Sequence, residues 1–306
     1  MSRYKYKNKN VTPIALFASV IAVFSAVLLC IFVPDLFTDM FDDSEGKSQY
    51  YENPFYVSFI DVGQGDCSLI SCNGVNVLVD GGEAEYADDV LTYLDDLGIE
   101  YLDCYVMTHP HSDHIGASSG IIDEISIGQV FTTYFSEFNI PTTRTYENAL
   151  TSISNSEAEI VFVEAGDSFT YGDLSIDIIA PIEESSEYND MSVVFTATYK
   201  DTTVLFTGDA TVTVEQQILE NGFDIEADVL KVAHHGSSTS SSEAFIDAVS
   251  PYIAVISCGE GNSYGHPHDE ITEMLENKGI KYHRTDEGGT IVYYGDGKNM
   301  FTEAIG

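Results

Sequence analysis

Seven of the eight histidines in this 306-residue chain fall in three short clusters. The clusters are His109, His111 and His114; His234 and His235; and His266 and His268. A single histidine is usually an ordinary core or surface residue, but that explanation does not account for clustering of this kind. Each cluster directly follows a predicted strand, which is where α/β folds place ligands. The histidines therefore indicate a metal site or a catalytic site.

The segment HPHSDH, residues 109–114, has the spacing of a two-metal site. His109 and His111 lie two apart on a segment that leaves a strand, so both side chains can project to one side. Asp113 and His114 follow the turn and can face a second position nearby. Three imidazoles and one carboxylate suit Zn²⁺, Mn²⁺ or Fe²⁺. The chemistry that this pattern indicates is metal-assisted hydrolysis.

Apolar runs and helical patterns predict the elements that would hold these residues. Strands are predicted at 55–62, 67–71 and 75–79, and an Asn-Gly turn joins the last two as a hairpin. A helix from Ala87 to Leu97 is followed by a buried strand, 102–108, that runs into HPHSDH. Further strands are predicted near Val130 and Ile160 and at 174–180, 191–199, 203–207, 229–232, 253–257 and 290–294, with helices at 214–220, 242–249 and 271–277. Hairpins combined with alternating strands and helices predict a sheet-rich α/β core with helices packed outside.

Residues 14–33 form an apolar stretch of 20 residues without a charge. A helix of that length spans roughly 30 Å, the hydrocarbon thickness of a bilayer. The stretch is too long for the core of a cleaved signal peptide, and no small-x-small cleavage site follows it. It predicts one transmembrane helix. Basic residues before it and acidic residues after it predict a single-pass protein of the cell membrane, with the N-terminus inside and the catalytic domain extracellular.

The chain is strongly acidic, with 50 Asp and Glu against 12 Lys and Arg and a formal net charge of −38. Four of the basic residues lie in the first ten positions, so the remaining chain carries 8 basic and 50 acidic residues, a charge of −42. Such a surface repels polyanions and offers no basic stripe of the kind that nucleic-acid binders use. Electrostatics therefore count against a long DNA duplex as a tight ligand.

HPHSDH after a strand resembles the HxHxDH signature of the metallo-β-lactamase superfamily. Five further segments resemble the hydrolase domain of the ComEC DNA-uptake family: FIDVGQGD (59–66), LVDGG (78–82), TGD (207–209), LKVAHHGSSTSSS (230–242) and YGHPH (264–268). Together they cover roughly residues 55–294. The resemblance implies an αββα sandwich. The expected organisation is a basic cytoplasmic N-terminus (1–13), the transmembrane helix (14–33), an acidic linker (34–53) and the metallo-β-lactamase-fold domain (54–306).

The resemblance also implies a ligand set for two divalent ions, zinc or manganese. His109 and His111 would bind the first ion, Asp113 and His114 the second, and Asp209 would bridge the two. His234 or His235 would complete the second site. Because adjacent side chains point apart on an extended chain, only one of these two is expected to bind directly. Asp80 would orient ligands without touching an ion, although an Asx-turn before Gly81 explains it almost equally well.

One position departs from the superfamily pattern. Many members carry a further ligand histidine about twenty residues before the bridging aspartate, where this chain has Asn189 and Asp190. We expect Asp190 to be an oxygen ligand and Asn189 to support it, which would favour Mn²⁺ relative to the pure zinc enzymes. A single-metal or open site is the alternative.

The YGHPH segment supplies two more candidates. His266 could lie over the metals as a phosphate clamp or as the general acid that protonates the leaving group. Whichever of His234 and His235 is not a ligand is the alternative general acid. His268 could support it or be a plain loop residue, and His283, which stands alone, is expected to be structural. In this mechanism the ions activate water, Asp209 positions that water, and Asp113 is the second carboxylate on which hydrolysis depends.

Three functions fit these features. The first is a membrane-anchored, extracellular metal-dependent phosphodiesterase or nuclease, acting on a phosphodiester substrate such as single-stranded nucleic acid and served by a separate transport channel. The second, which the acidic charge favours, is a hydrolase of a small substrate such as a nucleotide, a phosphocholine ester or a lactone. The third is a catalytically inactive surface-binding module, against which the intact clusters argue.

Overall fold

A computed structural model of the chain describes residues 49–305. The predicted cytoplasmic N-terminus, the predicted transmembrane helix and most of the predicted linker lie outside these residues. Within them, none of the helices combines the length and the apolar character needed to cross a bilayer.

Residues 49–305 contain fifteen strands and eight α-helices. The strands are β1 (Phe55–Phe59), β2 (Ser68–Cys72), β3 (Val75–Val79), β4 (Tyr101–Val106), β5 (Ser126–Thr132), β6 (Glu159–Phe162), β7 (Ser168–Tyr171), β8 (Leu174–Ala180), β9 (Val194–Tyr199), β10 (Thr202–Phe206), β11 (Val229–Lys231), β12 (Ile253–Ile256), β13 (Lys281–Arg284), β14 (Thr290–Gly295) and β15 (Met300–Ile305). The helices are α1 (Ala87–Asp96), α2 (Ser112–Ile115), α3 (Ser118–Glu124), α4 (Arg144–Asn155), α5 (Val212–Asn221), α6 (Glu243–Val249), α7 (Asp269–Asn277) and α8 (Thr285–Gly288). Short 3₁₀ turns lie at Gln49–Glu52, Ala84–Tyr86, Tyr188–Met191 and Ala233–Gly236.

The strands form two mixed sheets. The first has eight strands in the order β15-β14-β1-β2-β3-β4-β5-β6, and the second has seven in the order β13-β12-β11-β10-β9-β8-β7. Strands β3 to β6 pair in parallel, as do β10 to β13, whereas the other pairs are antiparallel. Each sheet thus has antiparallel strands on one side and parallel strands on the other. The parallel strands are joined by crossover connections, and the helices in those connections cover the outer face of the sheet.

Three apolar layers hold this arrangement together. The inner faces of both sheets share one buried cluster, in which Phe59 and Phe195 both stack on Phe206. A second cluster packs the first sheet against α1, α3 and α4, and a third packs the second sheet against α5, α6 and α7. The predicted αββα sandwich is therefore confirmed.

Local predictions agree with the structure where the local signal is strong. Strands β3 and β8 have the predicted bounds, and Asn73 and Gly74 in the β2–β3 hairpin both have positive φ, as a tight two-residue turn requires. Other bounds differ. Strand β1 stops at Phe59, three residues early, and 188–191 is a 3₁₀ turn that delays the start of β9 to Val194. Helix α4 and the strands β7, β13 and β15 had not been predicted.

Candidate metal centre

The carboxyl ends of β3, β4, β10, β11 and β12 carry most of the predicted site residues on the loops that follow them, and Asn189 and Asp190 lie in the 3₁₀ turn between β8 and β9. Parallel strands end at the same edge of a sheet, so the five loops meet at one end of the sandwich. They enclose a cleft of about 340 Å³ that is lined by His111, Ser112, Asp113, Asn189, Asp209, His234, His235, Tyr264 and His266. Lys and Arg are absent from this lining.

HPHSDH begins three residues after β4 and continues into the short helix α2. His109 is buried, and its Nε2 lies 3.1 Å from Nδ1 of His111. The turn into α2 moves Asp113 and His114 to the other side of this pair, where Asp113 Oδ2 lies 3.4 Å from Nε2 of His235. The segment therefore presents ligand atoms to two neighbouring positions.

Asp209 separates these two positions. Its Oδ2 lies 3.7 Å from Nε2 of His109 and 3.6 Å from Nε2 of His234. Its Oδ1 lies 3.1 Å from Nε2 of His114 and 3.7 Å from Nε2 of His235. One carboxylate oxygen thus faces each position, which is the arrangement that a bridging ligand needs.

The ligand atoms group as a pair of metal ions would require. His109, His111 and Asp209 bring three ligand atoms within 4.8 Å of one another, and so do Asp113, His114 and His235. His114 Nε2, His235 Nε2 and Asp209 Oδ1 are buried and find no hydrogen-bond partner of acceptable geometry among the described residues. Buried polar atoms are rarely left without a partner. Imidazole nitrogens and a carboxylate oxygen that lie close together without partners fit the ligand set of a divalent cation.

The buried carboxylates and imidazoles of the site shift one another's pKa values. Burial alone would raise the pKa of the Asp209 carboxyl, but the nearby charges of His114 and His235 hold it well below its ordinary value. Burial would lower the pKa of His235, yet Asp209 and then Asp66 raise it to about 9. The pKa of His114 is raised well above its usual range in the same way, by Asp209 and Asp80. The carboxylates and imidazoles of the site thus favour one another's charged forms.

Asp80 follows β3 and is fully buried beside HPHSDH. Its Oδ1 accepts a hydrogen bond from the backbone N–H of Thr108 at 2.8 Å, and its Oδ2 accepts from the Thr108 hydroxyl at 2.6 Å and from Nδ1 of His114 at 2.7 Å. The carboxylate thus contacts a histidine of the predicted ligand set, as expected of an orienting residue.

His234 and His235 do not lie on extended backbone. Both have positive φ, 54° and 55°, in the 3₁₀ turn after β11. The premise that adjacent side chains must point apart was therefore wrong, because two left-handed residues in a row curl the chain and bring both rings to Asp209. Only His235 joins a ligand group, together with Asp113 and His114. His234 is 23% exposed in its side chain and lines the cleft instead.

Asp190 belongs to none of the ligand groups found among the described residues. Its Oδ1 accepts a hydrogen bond from the Thr211 hydroxyl at 2.5 Å and its Oδ2 accepts one from the Ser185 hydroxyl at 3.1 Å. The 3₁₀ turn at 188–191 directs Asp190 to this structural role and leaves Asn189 on the cleft, with a buried Oδ1 that has no partner among the described residues. Asp190, which we had expected to be a ligand, thus points away from the cleft, and Asn189, which we had expected to support it, lines the cleft.

The YGHPH loop closes one side of the cleft. Asn262 holds the backbone of His266 on both sides, accepting from its N–H at 3.0 Å and donating to its carbonyl oxygen at 2.6 Å. The His266 ring lies 5.6 Å from that of His234, and the Tyr264 ring stacks on it. His268 is turned away: its Nδ1 accepts from the backbone N–H of Ser238 and so ties this loop to the serine-rich loop.

One buried residue of the site was missed by the sequence analysis. Asp66 ends the FIDVGQGD segment, and its carboxylate lies beside His114 and Asp209 as well as His235. Its burial was the missing information, since a single Asp after a Gly-rich turn ordinarily reads as a turn residue. Its partner Lys231, in LKVAHHG, was likewise not singled out.

Comparison with known proteins agrees with this geometry. Residues 60–130 and 187–260 match the metallo-β-lactamase superfamily. The ComE operon protein 3 of Bacillus subtilis is 30% identical over 258 residues, which cover 78% of this chain and 32% of that protein. Competence protein ComA of Neisseria gonorrhoeae is 29% identical over 245 residues, covering 79% of this chain and 32% of that protein.

A solved structure shows the same fold at much lower identity. Igni18, a metallo hydrolase from Ignicoccus hospitalis, superposes with a TM-score of 0.51 at 15% identity, over 82% of this chain and 100% of that one. The chain spans about a third of the length of the two curated relatives.

Proposed function

The chain belongs to the metallo-β-lactamase superfamily and resembles the ComEC proteins, and from this we propose that it is a two-metal phosphodiesterase or nuclease. The observation that carries the proposal is the position of Asp209, whose two oxygens face His109 and His114 from between two groups of ligand atoms. A single-metal site would have no use for a carboxylate shared in this way.

The ligand sets that we propose follow those groups. His109, His111 and Asp209 would hold the first ion, and Asp113, His114, His235 and Asp209 the second. The mixture of imidazole and carboxylate suits zinc or manganese. When bound, the ions would activate water as a nucleophile and stabilise negative charge on the attacked phosphoryl group.

We assign substrate contact to His266. Burial and the charges of His235 and His234 lower the pKa of His266 to about 4, so its ring is neutral near pH 7. A neutral imidazole still donates one N–H, and Nδ1 is buried without a hydrogen-bond partner among the described residues. Such a ring is better suited to clamp a phosphoryl oxygen than to act as a strong acid, although an incoming phosphate would raise its pKa.

The substrate class rests on the cleft and on the relatives. The cleft is open, and histidine, amide, hydroxyl and carboxylate groups line it, which suits a polar ester. The name of the Neisseria relative refers to competence. A small substrate remains the second candidate, because the cleft lining lacks Lys and Arg that could follow a nucleic-acid backbone. The intact ligand groups argue against an inactive binding module.

A substrate panel tests the proposal. Protein stripped of metal by a chelator should hydrolyse nothing, and addition of Mn²⁺ or Zn²⁺ should restore cleavage of bis(p-nitrophenyl) phosphate and single-stranded DNA. Cleavage of a lactone, a nucleotide or a phosphocholine ester, with no DNA cleavage, would favour the small-substrate function. Two bound ions without hydrolysis of any substrate would favour the binding module.

We propose that residues 14–33 anchor the domain on the outer side of the cell membrane. The support is the uncharged 20-residue stretch with basic residues before it and acidic residues after it. A protease added to intact cells should remove residues 54–306, and full protection of the domain would reverse the orientation. We also propose that any DNA transport associated with this domain is carried out by a separate membrane channel.

A further inference from the structure

Lys231 is the one buried side chain among the Lys and Arg residues that the structure describes. It is the last residue of β11 and lies three positions before His234. Taking an ammonium group out of water is costly unless it is paired and hydrogen-bonded. The position of Lys231 therefore calls for a partner of opposite charge.

That partner is Asp66, which is also buried. Nζ of Lys231 lies 2.8 Å from Oδ2 of Asp66 and donates a second hydrogen bond to the carbonyl oxygen of Val232 at 2.9 Å. Burial alone would raise the pKa of the Asp66 carboxyl, but the charge of Lys231, followed by that of His235, holds it far below its ordinary value. The pair is thus a buried ion pair that links the FIDVGQGD and LKVAHHG segments.

The other oxygen of Asp66 reaches the proposed second metal site. Nδ1 of His235 donates a hydrogen bond to the carbonyl oxygen of Ser257 at 3.0 Å. Oδ1 of Asp66 lies 3.3 Å from the same nitrogen, a charge contact without hydrogen-bond geometry, because Oδ1 has no hydrogen-bond partner among the described residues. Both neighbours of Nδ1 are acceptors, so Nδ1 carries the proton. The opposite nitrogen, Nε2, faces Asp113 and Asp209 and is therefore the nitrogen that a metal ion would bind, in place of any proton it carries.

Direct metal binding is an alternative role for Asp66. Its carboxylate also lies within ligand distance of His114 and Asp209, so it could itself reach an ion. A carboxylate whose second oxygen is held by a buried ammonium is a poorer ligand and is fixed in place. Lys231 therefore favours the orienting role of Asp66 over direct binding.

We propose that Lys231 is a positioning residue for the second metal ion, fixing Asp66 so that Asp66 fixes the ring of His235. The inference rests on the proposed two-metal function. It predicts that Lys231 governs the affinity of one ion and not of the other.

The experiment measures Mn²⁺ binding to the metal-free protein by calorimetry, with thermal melting as the measure of folding. Lys231→Met and Asp66→Asn should each lower the affinity for one of two ions by about 10–100-fold, the usual effect of losing a group that supports a metal-binding histidine. The other ion should bind as in the wild type. Lys231→Arg, which keeps the positive charge, should bind both ions with nearly wild-type affinity. Leu94→Ala, which opens a cavity in the core beside α1, controls for general destabilisation.

The double variant Lys231→Met/Asp66→Asn separates the positioning role from a structural one. Removing both charges should recover much of the melting temperature lost in Lys231→Met but leave the second ion weakly bound. Wild-type affinity in Lys231→Met or in the double variant, or equal losses at both ions, would overturn the proposal.

Two further outcomes are an unfolded Lys231→Met variant and a wild type that binds only one ion. If Lys231→Met does not fold, Asp66→Asn and Lys231→Arg decide the question by the same criteria. If the wild type binds only one ion, the two-metal function fails, and the positioning role stands only if Lys231→Met weakens that ion.

Discussion

Asp80 accepts a hydrogen bond from Nδ1 of His114 over 2.7 Å, and this contact turns the opposite ring nitrogen toward Asp209. The contact requires a proton on Nδ1, since a carboxylate can only accept. It therefore selects the tautomer in which Nε2 is free to bind a metal ion. The orientation of His114 toward Asp209 thus depends on one buried carboxylate, that of Asp80.

The first prediction is that Asp80→Asn reduces metal affinity without loss of the fold. An asparagine amide facing Nδ1 would donate rather than accept, which favours the wrong tautomer of His114. We expect about a 10–100-fold weaker second ion and a parallel fall in hydrolysis. Mn²⁺ titration and a melting curve measure the two effects.

Asp103→Asn is the matched control. The Asp103 carboxylate accepts a hydrogen bond from the backbone N–H of Asn76, away from the cleft. The same substitution there should leave metal affinity unchanged. Equal metal binding by Asp80→Asn and the wild type would show that Asp80 has no orienting role.

The second prediction is that His109→Ala and Asp113→Ala remove different ions. Each residue belongs to only one of the two ligand groups, so each variant should retain about one equivalent of metal. Both should lose more hydrolysis than the roughly 10–100-fold expected for a merely supporting residue. Elemental analysis and assay of the same preparation provide the measurement.

His283→Ala is the control for this pair. His283 contacts the Tyr293 hydroxyl at 3.2 Å and belongs to neither ligand group. It should retain two ions and full turnover. Near-normal turnover in His109→Ala or Asp113→Ala, at confirmed metal content, would remove the two-metal mechanism.

The sequence predicted those parts of the site that local spacing determines. HPHSDH lies within eight residues after β4, so a strand and one turn are enough to bring its side chains together. Two features needed the tertiary structure. The left-handed φ at His234 and His235 cannot be read from their side chains, and the ion pair of Asp66 with Lys231 joins residues 165 positions apart.

The fold was predictable to a similar extent. Strands with continuous apolar runs, such as β3 and β8, were found, whereas β7 and β13 are largely polar edge strands with little burial. Helix α4 had not been predicted, although its buried positions Tyr146, Ala149 and Ile153 follow the i, i+3, i+7 spacing of an amphipathic helix. Its Thr143 N-cap, which accepts from the Tyr146 N–H, was a second available signal.

The third prediction is that metal binding releases protons near pH 7.5. Because Asp209 and Asp66 raise the pKa of His235 to about 9, its imidazole is protonated in the metal-free protein, and an ion must displace that proton. Affinity for Mn²⁺ should therefore rise with pH, by roughly tenfold per unit for each proton released, and the contribution of His235 should end above about pH 9.

Calorimetry in two buffers of different ionisation enthalpy counts these protons. His235→Gln, which has no titrating ring, should release fewer protons and show a shallower pH dependence. Binding of two ions at pH 7.5 with no proton release would mean that the imidazoles are already neutral, contrary to the charge balance of the site.

The fourth prediction concerns ionic strength and separates the substrate classes. The chain after its first ten residues carries a formal charge of −42, and no Lys or Arg lines the described cleft. Lys231, the basic residue nearest the proposed ligands in sequence, is held in its buried pair with Asp66. Few DNA phosphates can then be neutralised, so the steep loss of affinity with salt that is typical of basic nucleic-acid binders is not expected.

Hydrolysis of bis(p-nitrophenyl) phosphate should be nearly independent of salt, because the ions act on a small ester inside the cleft. Cleavage of single-stranded DNA should hold steady or rise between low and moderate salt, since screening weakens the repulsion between the DNA and the acidic surface. Rates are measured from about 20 to 200 mM KCl with Mn²⁺ kept saturating, so that metal loss cannot imitate a salt effect. DNA binding that is tight at low salt and collapses as salt rises would contradict this, and would mean that the few basic residues outside the cleft form a continuous nucleic-acid surface.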